Sequence, residues 1–203
     1  MTALRQTRLN LTLPPSMIGE FFPILQRGFV VTAHVGCTLD RLLGRQWNCS
    51  PEYVAERITT IFMDNRPIDD VTRAVVRDGA VIALSGAMPG LVGATMRRGG
   101  YYAAMREGIT HQETAADTID RIGAVRVKLF NLLLPDLGPE FLRRGVILTA
   151  TELREFIAGK DASFWQGCGS AMLDGSPVGL ELLRSGAPLP DIGNVRLTVT
   201  FRG

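Results

Sequence analysis

Phe62-Met63-Asp64-Asn65-Arg66-Pro67-Ile68 and Met172-Leu173-Asp174-Gly175-Ser176-Pro177-Val178 follow one pattern. In each, apolar residues run into a turn pair, then a polar residue, a proline and a β-branched residue. Asp-Asn and Asp-Gly both tolerate positive φ and close tight hairpins. The second stretch therefore reads as a second copy of the first, and further matches lie on both sides of it. Upstream, Arg8-Leu9-Asn10-Leu11 resembles Arg126-Val127-Lys128-Leu129, both with the alternation of a half-buried strand. Arg27-Gly28-Phe29 pairs with Arg144-Gly145-Val146, and Thr32-Ala33 with Thr149-Ala150. Leu39, Leu42 and Leu43 form a short helical stripe matched by Leu153, Phe156 and Ile157.

The spacing between the copies shrinks steadily along the chain. It is 118 residues from Arg8 to Arg126, 117 from Gly28 to Gly145, 114 from Leu39 to Leu153 and 110 from Pro67 to Pro177. Loss of a few residues at a time is what connecting loops tolerate. The expected fold class is therefore α+β, as two tandem units, residues 1–84 and 124–203. A glycine-rich and helical linker, residues 85–123, is expected to join them.

Within the copies the expected strands are Leu9–Leu13, Phe29–Val35, Ile58–Met63, Val81–Leu84 and Val195–Phe201. Ser16–Gln26 is expected to be partly helical, weakened by Gly19 and Pro23. Thr38 and Ser50-Pro51-Glu52 read as helix starts. In the linker, Gln112–Arg121 is expected to be a helix that packs Ile119 and Ile122 against one of the units.

Composition bounds the function. The 203 residues are 46% hydrophobic and 21% charged, ordinary for a packed domain, and the formal net charge is +2. No bulk field draws such a chain to nucleic acid. The apolar run Ala80–Ala94 is broken by Gly86, Pro89, Gly90 and Gly93, so no membrane span is expected. Cys37, Cys49 and Cys168 make an odd count, and Met1–Arg8 has no signal-like apolar core. The expected compartment is the cytoplasm.

The order of strands and helix, the Asp64-Asn65-Arg66-Pro67-Ile68 turn and Arg77-Asp78-Gly79-Ala80-Val81-Ile82-Ala83-Leu84 resemble the ubiquitin-like (β-grasp) sulfur carriers. That family includes the small subunit of molybdopterin synthase and the thiamine sulfur carrier. Arg126–Phe130 and Leu137-Gly138 are similar to the family's opening strand. The resemblance implies a β-grasp fold in each copy and a link to sulfur-carrier, molybdopterin or thiamine metabolism. The family's chemistry needs a free C-terminal Gly-Gly. Here the first copy runs on through Met88-Pro89-Gly90-Leu91 and the second closes on Phe201-Arg202-Gly203.

The expected function is thus non-enzymatic: a module that binds another protein, with self-association left open. No catalytic residue, metal ligand or cofactor is assigned. His34 and Cys37 have H-x-x-C spacing but lack the paired cysteines of a zinc site. A second expectation is a small-molecule or anion site on the glycine-rich segment. Backbone N–H groups at Gly86, Gly90, Gly93, Gly99 and Gly100 would cradle the anion, Arg97 and Arg98 would add charge, and Tyr101 and Tyr102 a stacking face. A third is a sulfur carrier or modifier precursor freed by cleavage after Gly100.

Overall fold

The structure, a computed structural model, describes residues 6–86, 90–98 and 121–202. It is a mixed α+β fold. In chain order, β1 (Thr7–Leu13) is followed by a 3-10 helix (Pro15–Phe21), α1 (Phe22–Arg27) and β2 (Phe29–Val35). Next come α2 (Leu39–Arg41), a π-helical turn (Leu42–Gln46) and α3 (Pro51–Glu56). The hairpin β3 (Thr60–Met63) and β4 (Arg66–Pro67) precedes β5 (Val81–Ser85) and α4 (Gly90–Met96). The chain resumes with β6 (Arg121–Phe130), α5 (Leu133–Arg144) and β7 (Val146–Thr149). Then follow α6 (Ala150–Ala158), α7 (Ala162–Gly167), β8 (Ser170–Leu173), β9 (Ser176–Pro177), α8 (Leu180–Arg184) and β10 (Asn194–Phe201).

Local chemistry explains most of these elements. Ser50 accepts the Tyr53 N–H at 3.1 Å and Pro51 opens α3, so one orphan donor is satisfied and another is absent. Thr149 and Glu152 form a reciprocal capping box at α6. Asp64 and Asn65 have φ of 51° and 65°, and Asp174 and Gly175 have 48° and 86°, the left-handed pairs that tight hairpins require. The two leucine-type stripes are buried as expected: Leu39, Leu42 and Leu43 in one copy, Leu153, Phe156 and Ile157 in the other.

Two compact units are present, and neither is continuous in sequence. Unit 1 is Met1–Ile24 with Leu137–Gly203, and unit 2 is Leu25–Asp136. The sequence divided the chain at 84/85 and 123/124 instead. In unit 2 the strands lie in the order β2-β6-β5-β3-β4; in unit 1 the order is β7-β10-β1-β8-β9. Each sheet has a parallel pair at its centre, β5 with β6 and β1 with β10, and antiparallel neighbours outside it.

The registers of the two sheets correspond throughout. Ile82 faces Met63 and Val127; Leu9 faces Leu173 and Leu197. Val127 also faces Phe29, and Leu197 faces Val146. Leu9 therefore holds the place of Ile82, and Leu197 that of Val127. Sequence similarity had matched Leu9 with Val127. The glycines agree with the sheets. Gly28 (φ 112°) leaves a Cβ site 3.0 Å from Lys128 Cγ on β6, and Gly145 (φ 94°) leaves one 3.1 Å from Arg196 Cγ on β10. Each glycine supplies both the positive φ and the room for its neighbour's stem.

Two expectations fail on described residues. Arg121 and Ile122 begin β6 rather than end a helix, and Ile122 is 70% exposed, so it packs on neither unit. Leu137 and Gly138 lie inside α5, not in a strand; the apolar residues Leu133, Leu134, Phe141 and Leu142 recur at helical spacing and are buried. The rest of the expected linker helix, with Ile119, lies outside the described residues.

Candidate functional site

The glycine-rich segment leaves the end of β5. Gly86 fits tightly: a Cβ there would lie 3.2 Å from the Arg57 carbonyl oxygen and 3.2 Å from Leu132 Cβ. Its own carbonyl accepts from the Thr59 hydroxyl at 3.1 Å. Gly90 opens α4 at φ 73°, and Gly93 is buried within that helix. Arg97 is exposed. Gly99, Gly100, Tyr101 and Tyr102 lie outside the described residues.

Arg98 faces the protein. Its guanidinium donates to the carbonyls of Val54 and Ile58, both at 3.3 Å, and of Asp69 at 3.4 Å. Its backbone N–H donates to the Thr59 carbonyl at 2.8 Å. Val54 and Ile58 flank the end of α3, where helix carbonyls lack intrahelical donors, so the guanidinium closes that end. Burial pulls the Arg98 pKa below its ordinary value, against the opposing pull of Asp69 and Asp70. These bonds use Arg98 to fasten the segment to the end of α3 and to Asp69 within unit 2.

A polar cluster that sequence reading missed lies in the same unit. The Tyr53 hydroxyl donates to Asp136 Oδ2 at 3.1 Å, and the Arg57 guanidinium donates to the same oxygen at 2.8 Å. Burial first, and then Asp136, raise the Tyr53 pKa well above the usual phenol range. Tyr53 and Arg57 lie one helical turn apart, which is visible in the sequence, but Asp136 lies 83 residues from Tyr53. Beside Gly86, Thr60 and Ser85 face each other across β3 and β5, and the Asn131 amide donates to Ser85 Oγ at 3.1 Å. Among the described residues Thr60 Oγ1 is buried and has no hydrogen-bond partner.

His34 and Cys37 do not converge as ligands. The Cys37 thiol donates to the His34 carbonyl at 3.3 Å. The Gln46 amide spans both backbone groups of His34, accepting its N–H at 2.8 Å and donating to its carbonyl at 2.9 Å. Among the described residues no group of three or more His, Cys, Asp or Glu could hold a metal ion, and no helix is long and apolar enough to cross a membrane. Cys49 and Cys168 are buried, and burial raises the Cys168 pKa.

The sheet of unit 1 has one face in the core and one turned outward. Leu9, Leu11, Val195, Leu197 and Val199 are buried on the first. On the second, side chains form rows across the strands: Ile147, Arg196 and Arg8, then Thr198, Asn10 and Met172. Arg8, Asn10 and Met172 are exposed and the others half-buried. Arg8 and Arg196 are direct neighbours on the parallel pair, whereas the equivalent positions in unit 2 are Val81 and Arg126. Comparison with protein-family models, curated proteins and solved structures finds no match.

Proposed function

We propose that this chain is a non-enzymatic, protein-binding module built from two β-grasp-like units. The β-grasp reading draws support from the central parallel pair of each sheet, its antiparallel neighbours and the tight hairpin at its edge. The binding reading rests on the Arg8–Arg196 pair of unit 1. The Arg196 guanidinium donates to the Arg144 carbonyl at 3.4 Å, and with Arg8 beside it the sheet face carries two cations on neighbouring strands. A partner that brings carboxylates to this face would meet both cations, and the neighbouring Thr198 and Asn10 side chains offer it hydrogen bonds.

Affinity capture from the native host at low salt, followed by mass spectrometry, tests this reading. The chain is expected to capture a reproducible protein partner that is released by added salt. An Arg8→Ala, Arg196→Ala double variant is expected to lose it. Equal capture by the variant, or no reproducible partner for the parent, overturns the reading.

The link to sulfur-carrier, molybdopterin or thiamine metabolism is part of the same proposal and follows from the fold resemblance alone. The intact mass of protein made in its own host tests it. Added sulfur supports carrier chemistry; a single unmodified chain removes it.

A further inference from the structure

Each unit takes one of its two central strands from the other half of the chain. Unit 1 includes β1, which precedes all of unit 2, while β6 of unit 2 follows residues 99–120. Divided between residues 98 and 121, the chain gives two halves that each lack an inner strand. The N-terminal half keeps β2 and β5 but loses β6, which lies between them. The C-terminal half keeps β10 and β8 but loses β1, which lies between them.

These strands are central to both cores. Leu9, Leu11 and Leu13 of β1 and Val125, Val127 and Leu129 of β6 are at most 2% exposed. Without them, two strand edges in each sheet would show unpaired N–H and C=O groups, and the apolar layer beneath would meet water.

We infer that the two halves of the chain are obligate partners, each supplying the strand that completes the other's sheet. A chain cut between β5 and β6 therefore stays together as a two-fragment complex. The partner that fits each open slot is a strand of this same sequence with alternating leucine or valine: β6 for the first half, β1 for the second. Cleavage after Gly100 accordingly frees no self-standing β-grasp modifier. The piece it releases would leave with β1 and without β6. This inference is independent of the protein-binding reading.

A site-specific protease sequence inserted after Gly100 of the full chain tests it. The uncut variant should melt as the parent does; a second insertion, after Gln112, repeats the cut at another point. After cleavage the two fragments are expected to elute as one species with the mass of the intact chain. Their melting should become dependent on protein concentration, because folding is now bimolecular. Separated in denaturant, neither fragment should refold with a cooperative melt, and mixing should restore it. Fragments that part on a native column, or either one melting cooperatively alone, would overturn the inference.

Discussion

Asp174 holds Arg8 at both of its backbone groups: its carboxylate accepts the Arg8 N–H at 2.8 Å, and its own N–H donates to the Arg8 carbonyl at 2.8 Å. Asp64 holds Val81 in the same way, at 2.8 and 2.9 Å. One turn aspartate thus fastens β8 to β1 in unit 1, and its counterpart fastens β3 to β5 in unit 2. The aspartate fits because its short carboxylate bonds locally while its backbone tolerates positive φ.

Replacing Asp174 by Ala removes the carboxylate bond and places an unfavourable residue at φ 48°. A loss of about 1–2 kcal/mol is expected, read from urea unfolding, and Asp174→Asn should keep most of the stability. Asp64→Ala should behave alike. Equal losses for the Asn and Ala variants would show that the local bond is not the cause.

Lys160 is an internal anchor of unit 1. Its side chain is 8% exposed, and its ammonium lies 2.9 Å from Glu20 Oε2 and 4.3 Å from the centre of the Phe156 ring. It also donates to the Glu20 carbonyl at 2.6 Å. Lys160→Ala is expected to cost about 1–3 kcal/mol, since it removes a desolvated cation–π contact together with the bonds to the Glu20 carbonyl and carboxylate. Glu20→Gln, which leaves the carbonyl and ring contacts in place, should cost less. Thermal and urea unfolding of both variants measure the difference.

Acid should destabilise the fold through a few identifiable carboxyls. The Arg143 hydrogen bond, with Arg144 assisting, holds Glu140 below the usual carboxylate range. The Phe164 N–H and then the Ser163 hydroxyl lower Asp161, and the Thr72 hydroxyl and N–H lower Asp70. Each folded pKa lies below its unfolded value, so the stabilisation is complete above the unfolded pKa and is lost as pH falls through the folded one. Ordinary values of 3.8 for Asp and 4.5 for Glu place the start of the decline at those pH values. Unfolding followed from pH 7 to pH 2 checks this, and an Arg143→Ala, Arg144→Ala variant should show a shallower decline.

Tyr53 should stay protonated where ordinary tyrosines ionise. Its phenol is half-buried and hydrogen-bonded to Asp136, and both features raise its pKa. Ultraviolet titration between pH 9 and pH 11 should therefore give Tyr53→Phe the same absorbance change as the parent. A smaller change in the variant would place Tyr53 among the ionising phenols.

The local pieces of the fold were legible residue by residue. Period-two alternation marked β1, β6 and β10, the Asp64-Asn65 and Asp174-Gly175 pairs marked both hairpins, and the stripes Leu39-Leu42-Leu43 and Leu153-Phe156-Ile157 marked the buried helical turns. Each of these signals is complete within a few residues, because it records which side of one element faces the core. Which strands are neighbours was set by long-range packing. Arg8–Leu11, Arg126–Leu129 and Arg196–Val199 alternate alike, so nothing local tells an inner strand of one unit from that of the other. The candidate site was legible to the same extent. The glycines and arginines of residues 86–98 were visible as a cluster, but the bonds from Arg98 to Val54, Ile58 and Asp69 were not. Nor were the Tyr53–Asp136 bond and the Arg8–Arg196 pair. Those relationships join residues far apart in the chain, and what brings them together is the burial and backbone pairing of the whole sheet rather than any preference of the residues themselves.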